Sequence, residues 1–204
     1  MSSTIRVSAT SISPKHLQMK IRSLFGLAAT GLVLCACQSN TFQIDGFARS
    51  FAEGDTICLM KEGGQPMAIS TVSNGKFSFY GEIQETGLYS VMAKKAPACQ
   101  VSFFTEPGTT TIELNNEPGT SRISGTRLNN EWQQLTDSVE MMGYEIAKLL
   151  RHPAADTTAQ KTLATTVDSL HRRMAACIQN TAQRNKDNPL GKYIQENYKA
   201  PEFK

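Results

Sequence analysis

Between Phe42 and Ser124 apolar positions recur at a period of two, and turn residues interrupt them at short, even intervals. Phe42 and Ile44 lead into Gly46. Thr56-Ile57-Cys58-Leu59-Met60 follows the turn at Glu53-Gly54-Asp55, and Met67, Ile69 and Thr71 follow Gly63-Gly64. Asn74-Gly75 lies between two alternating runs, the pattern of a two-residue hairpin turn whose central residues both take positive φ. Beyond it Phe77, Phe79 and Gly81 share one face, and Lys76, Ser78, Tyr80 and Glu82 the other. Further runs cover 87–92, 101–105, 109–114 and 122–124, with a loop expected at Lys94, Lys95 and Pro97. Eight short strands at such spacing predict an antiparallel β-sandwich or a barrel-like β-domain over 41–126.

At Leu128 the period changes. Trp132, Leu135, Val139, Met142, Ile146 and Leu149 are spaced 3, 4, 3, 4 and 3 apart, one stripe of an amphipathic helix. Asn129 or Asn130 is expected to supply its N-cap oxygen, and Arg151-His152-Pro153 to end it. A second helix is expected to open at the capping-box spacing Thr157-x-x-Gln160 and to carry the stripe Leu163, Val167, Leu170, Met174, Cys177 and Thr181. The short connection predicts an antiparallel helical hairpin. A short C-terminal helix near Leu190–Tyr198 completes residues 127–204. The predicted class is α+β, with the hairpin packed on the β-domain and Trp132, Met141 and Met142 in the seam.

The N-terminal 36 residues change the picture of location and charge. Lys20 and Arg22 precede an apolar run from Leu24 to Leu34, which ends at Leu34-Cys35-Ala36-Cys37. Residues 19–36 have the layout of a secretory signal peptide. The tetrad resembles the lipobox of bacterial lipoproteins, which implies that Cys37 receives a lipid and becomes the first residue of the mature chain. The run is too short for a bilayer-spanning helix of ~20 residues. Residues 1–18, rich in Ser and Thr and free of acids, read as a disordered extension or a mis-assigned start ahead of Met19. Residues 37–40 read as a tether. Four of the 21 basic residues (Arg6, Lys15, Lys20, Arg22) and none of the 18 acids lie before Cys37, leaving 17 against 18 and a net charge of −1. A basic footprint for nucleic acid is absent from that balance.

Candidate chemistry is sparse. Cys58, Cys99 and Cys177 remain beyond Cys37, with no C-x-x-C among them. Cys58 and Cys177 read as buried small hydrophobes and Cys99 as more exposed; a Cys58–Cys99 bridge is left open by spacing alone. His152 and His171 have no His or Cys at i±3 or i±4, so no metal site is assigned. Acids are scattered, no nucleophile elbow is present, and Gly63-Gly64 reads as a turn. No catalytic residue and no cofactor are expected, which points away from an enzyme.

Gly54-Asp55-Thr56-Ile57, Asn74-Gly75-Lys76-Phe77-Ser78-Phe79-x-Gly81 and Gly87-Leu88-Tyr89 have a familiar sequence. So do Phe103-Phe104-x-Glu106-Pro107-Gly108 and Ser124-Gly125-Thr126-x-Leu128-Asn129-Asn130. Together they resemble the Bacteroidetes lipoprotein domain of unknown function, family 4369, over about Phe42 to Asn130. That resemblance implies a cell-envelope lipoprotein held to the membrane through Cys37. Gln38-Ser39-Asn40 lacks the acids that accompany surface export in such bacteria, which implies a periplasm-facing domain. Many relatives continue into a TlpA- or ResA-type thioredoxin-like domain. Two functions follow as expectations: a non-enzymatic binding or scaffold module with an unidentified protein or small-molecule partner, or a truncated or accessory form of a thiol–disulfide oxidoreductase.

Overall fold

The structure, a computed structural model, describes residues 40–61, 64, 66–151 and 156–198. Residues 19–36, Cys37 and His152 lie outside those residues. The described strands are β1 (Thr41–Phe47), β2 (Thr56–Lys61), β3 (Pro66–Thr71), β4 (Lys76–Glu82), β5 (Leu88–Ala93), β6 (Ala96–Phe104), β7 (Gly108–Glu113) and β8 (Arg122–Ser124). The helices α1 (Arg127–Leu150), α2 (Thr157–Arg184) and α3 (Pro189–Asn197) follow.

Two four-stranded sheets face each other, sheet A in the order β4-β1-β7-β8 and sheet B in the order β3-β2-β5-β6. The expected α+β class, a β-sandwich followed by helices, is what the chain forms. Alternation explains the core: Ile44, Phe77, Phe79, Ile112 and Ile123 point inward from sheet A, and Ile57, Leu59, Tyr89, Val91 and Phe103 from sheet B. Gly46 is required on β1, because a Cβ there would lie 2.2 Å from the Phe77 ring.

Three local readings needed correction. Asn74 (φ 52) and Gly75 (φ 70) form the positive-φ turn, with hydrogen bonds both ways between Ser73 and Lys76. The strands on either side do not form a hairpin ladder. β3 pairs with β2, β4 pairs with β1, and the chain crosses between sheets at the buried Val72. Secondly, β1 and β7 run parallel, with Ile44 opposite Thr110. Thirdly, Lys94-Lys95 is a tight turn and β6 already starts at Ala96. Pro97 fits because β6 is an edge strand, where a missing N–H need not break a ladder.

The start of α1 closes one side of the sandwich, where the edges of β6 and β8 lie near each other. The fully buried Asn129 accepts a hydrogen bond from the Phe104 amide (2.7 Å) and donates one to the Phe104 carbonyl (2.9 Å). It stands in for a neighbouring strand. Gln133 accepts from the Ile123 amide (2.8 Å) and Asn130 from the Gly125 amide (3.0 Å), treating the β8 side the same way. Neither Asn129 nor Asn130 is the N-cap. That position is Thr126, and the amides of Leu128 and Asn129 donate instead to Glu106, from the turn before β7.

Asp156 caps α2, accepting from the Ala159 amide (2.8 Å), in place of the expected Thr157. Asn188 caps α3 with Pro189 in its first turn. Asn185, fully buried between α2 and α3, donates to Glu131 (2.5 Å) and to the Thr181 carbonyl (3.0 Å), and accepts from Asn188 (2.7 Å). Those bonds tie the three helices together. Leu128, Trp132, Leu135, Leu190 and Ile194 join the same apolar core as the sandwich. Away from the sheets, Leu163, Val167, Leu170 and Met174 on α2 are only half-buried.

Candidate functional site

The outward positions of sheet B carry no charge. They are Ile69 and Thr71 on β3, Thr56, Cys58 and Met60 on β2, Leu88, Ser90 and Met92 on β5, and Gln100, Ser102 and Phe104 on β6, as the cross-strand register requires; a bulge opposite Met60 sets Met67 apart from this pattern. Met67 is 57% and Ile69 63% exposed. Burial removes Phe104 from water at the other border of this face, where helices cover it. A groove of about 380 Å³ lies between the open and covered parts, lined by Met60, Leu88, Ser90, Met92, Ser102 and Tyr193 among others.

Tyr193 lines that groove and belongs to a cluster of aromatic rings. Trp132 stands edge-on to Phe104 (6.0 Å), Tyr193 (5.6 Å) and Tyr198 (6.3 Å). Its indole N–H donates to the Ser102 carbonyl (3.2 Å), a backbone group of the sheet edge. Such edge-to-face pairs add to the area they bury. Burial, followed by the nearby Tyr193 and Glu140, raises the Tyr198 phenol above its ordinary value, so it stays neutral at physiological pH. A smaller cleft of about 260 Å³ opens at one end of the sandwich between Phe42, Leu59, Phe79 and Tyr89. The ion pair Lys61–Glu85 stands at its rim. Lys61 holds the Glu85 carboxyl below its usual range, and Glu85 raises the Lys61 ammonium, in both cases first through their hydrogen bond.

This arrangement offers a thioether-bearing surface with a groove whose described lining carries one charged residue, Lys61. Among the described residues no three His, Cys, Asp or Glu side chains converge to hold a metal ion. Nor is any described helix long and apolar enough to cross a membrane.

Residues 42–132 match the family model of DUF4369, a domain of unknown function. The resemblance drawn from turn and strand residues is thereby borne out over that stretch. No curated protein matches the chain. A crystal structure of a DUF3823 family protein from Parabacteroides merdae ATCC 43184 is similar over 38% of this chain and 46% of that one, with 16% identity and a TM-score of 0.28. The chain spans less than half of that protein, and a likeness at this score carries no argument.

The DUF4369 match runs from β1 through the first turns of α1 and ends at Trp132. Two of the motifs that carried the resemblance meet at the β6–α1 junction: Glu106 of Glu106-Pro107-Gly108 caps the helix that Asn129 and Asn130 fasten to the sheets. They serve the fold there.

The three described cysteines are free thiols and do not come together. Cys58 is buried on the outer face of sheet B, whereas Cys99 is buried (4% exposed) in the core between the sheets. Cys99 was expected to be exposed; the early start of β6 puts it on an inward position. The two thiols point to opposite faces of one sheet and form no bridge. Cys177 is half-buried on α2. His171 is half-buried on the same helix. Of the methionine pair on α1, Met142 is buried (6%) as expected, but Met141 is 62% exposed. Consecutive helical residues point about 100° apart, so one seam cannot take both. The outer face of sheet B was missed as a surface. Its signal was present in Ile57-Cys58-Leu59-Met60, an unbroken apolar run that makes both faces of β2 apolar.

Proposed function

We propose that the chain is an exported, non-enzymatic binding or scaffold module, lipid-anchored at Cys37 in the cell envelope and facing the periplasm, and that it engages its partner through the outer face of sheet B. The observation that carries the binding role is the largely apolar outward surface of sheet B, with Ile69 63% exposed on β3 and a groove lined by Met60, Met92 and Tyr193 towards β6. Contiguous exposed apolar surface on a folded domain marks interaction sites. A balance of 17 basic and 18 acidic residues beyond position 36 speaks for a protein or small-molecule partner over nucleic acid. Anchoring is supported by the signal-like layout of residues 19–36 and by the lipobox-like tetrad ending at Cys37. The oxidoreductase-accessory alternative called for a reactive thiol at Cys99 or for a thioredoxin-like partner domain; the burial of Cys99 speaks against the first of these.

Cell fractionation tests the anchor. Wild-type protein is expected in the membrane fraction and Cys37→Ser protein in the soluble fraction or unprocessed; a fully membrane-bound Cys37→Ser chain refutes it. A photo-crosslinking residue placed at Ile69 tests the surface against one at Thr111 on the outer face of sheet A. A discrete crosslinked species only from position 69 is expected, and equal or absent crosslinking at both positions counts against sheet B.

A further inference from the structure

We propose that the outer face of sheet B holds one soft monovalent metal ion, Cu(I), bound by the Cys58 thiolate and the thioethers of Met60 and Met92. Strand register brings these sulfur side chains together. Cys58 pairs directly with Met92, which sets their Cβ atoms about 4.5–5.5 Å apart on one face. Met60 lies two residues along β2 on the same face, opposite Ser90. From the far side Ile69 pairs with Cys58, and Pro66 with Met60 across a register shift that leaves Met67 outside the cluster. One thiol and two thioethers thus occupy two adjacent strands.

Thiolate and thioether ligands are soft and select Cu(I) over oxygen-seeking ions. Unbranched methionine, with three rotatable bonds, can swing its sulfur towards an ion. Access is built in, because Met60 and Met92 line the groove while Cys58, 3% exposed, lies beneath the surface. The bland account of these methionines is gap-filling in a core. It does not suit Met60 and Met92, which border a groove on the outer face of the sheet.

Charge favours a monovalent ion. The ligands are one thiolate and two neutral thioethers, so Cu(I) makes a neutral unit there, while a divalent ion would leave a positive charge uncompensated beside Lys61, which also lines the groove. On binding, the ion arrives already as Cu(I), the Cys58 S–H bond breaks and its proton goes to solvent, and a copper–sulfur bond forms. The thioethers donate lone pairs, and no electron is transferred. Such a site stands whether or not Cys37 carries a lipid.

The test uses the full chain with Cys35→Ser, Cys37→Ser, Cys99→Ala and Cys177→Ala, which leaves Cys58 as the single thiol. Cu(I) is titrated anaerobically against a bicinchoninate chelator, and the product is examined by X-ray absorption. One Cu(I) per chain in an all-sulfur shell is expected. Met60→Leu and Met92→Leu, which conserve volume, should each weaken binding about tenfold or more while leaving thermal melting unchanged. Cys58→Ala should abolish competitive binding. No binding by the single-thiol chain, a nitrogen or oxygen shell, or unchanged affinity in Cys58→Ala overturns the assignment. Should the single-thiol chain fail to fold, the Met60→Leu/Met92→Leu pair in the otherwise unaltered chain decides, and undiminished affinity there also overturns it.

Discussion

Sheet A turns Asp45, Lys76, Glu82, Glu113 and Arg122 outward, while sheet B turns out Thr, Ser, Gln, Cys, Met, Ile, Leu and Phe. Their inward faces are alike and share one core. Even the apolar Phe47 of sheet A lies under cations, with Arg49 at 5.2 Å and Lys76 at 5.8 Å from its ring. Sheet A therefore behaves as an ordinary solvated surface. Sheet B has two outward parts. Helices α1 and α3 cover Phe104 on β6, and nothing described covers Met67 and Ile69 on β3. Where the helices sit, the apolar outer face stabilises the fold; where they stop, the same kind of face is left uncovered among the described residues.

The largest test of that division is at the covered part. Trp132→Ala removes a ring that is 8% exposed and touches Phe104, Tyr193 and Tyr198, and should destabilise by roughly 3–5 kcal/mol in denaturant melts. A midpoint that does not move would mean that α1 and α3 merely rest on sheet B. Asn129→Ala comes next. It strands the buried amide and carbonyl of Phe104, and about 2–3 kcal/mol of stability should be lost. A change below about 0.5 kcal/mol, the range of neutral surface substitutions, would show that water replaces the clasp freely.

On the uncovered part the opposite behaviour is expected. Ile69→Glu should shift stability by no more than about 0.5 kcal/mol while removing the crosslinked partner species. A loss of several kcal/mol would turn this region into core and erase the difference between the two parts of sheet B.

The smallest effect concerns charge at the cleft rim. The lowered Glu85 carboxyl stabilises the fold above its ordinary value of 4.5, and that contribution is lost as pH falls through the depressed folded value. The raised Lys61 ammonium contributes below 10.5, and its share is lost as pH rises through the elevated one. Both groups are exposed, so Glu85→Gln should only slightly flatten the acid limb of a stability–pH profile. A large change there would make the rim pair part of the core.

Period and turn chemistry alone determined the order of eight strands and two long striped helices, the positive-φ turn at Asn74-Gly75, and the alternation that puts Phe77 and Phe79 inside. The DUF4369 resemblance was also legible, because turn residues such as Gly75 and Gly125 answer to local backbone demands. Partners distant in sequence decided the rest. Whether β3 pairs with β4 or β2 depends on which inward faces can be buried together, and a local turn motif is satisfied either way. Glu106 caps a helix that starts 21 residues later, and Asn129 completes an edge 25 residues earlier. In one dimension both look like loop and cap residues. Cys58 and Cys99 carry the same thiol, and only the start of β6 and the stacking of two sheets put one outward and the other in the core. Side-chain period tells which residues share a face. Which face meets water, another sheet or a helix is set by long-range packing, since burial is a property of the whole assembly of elements.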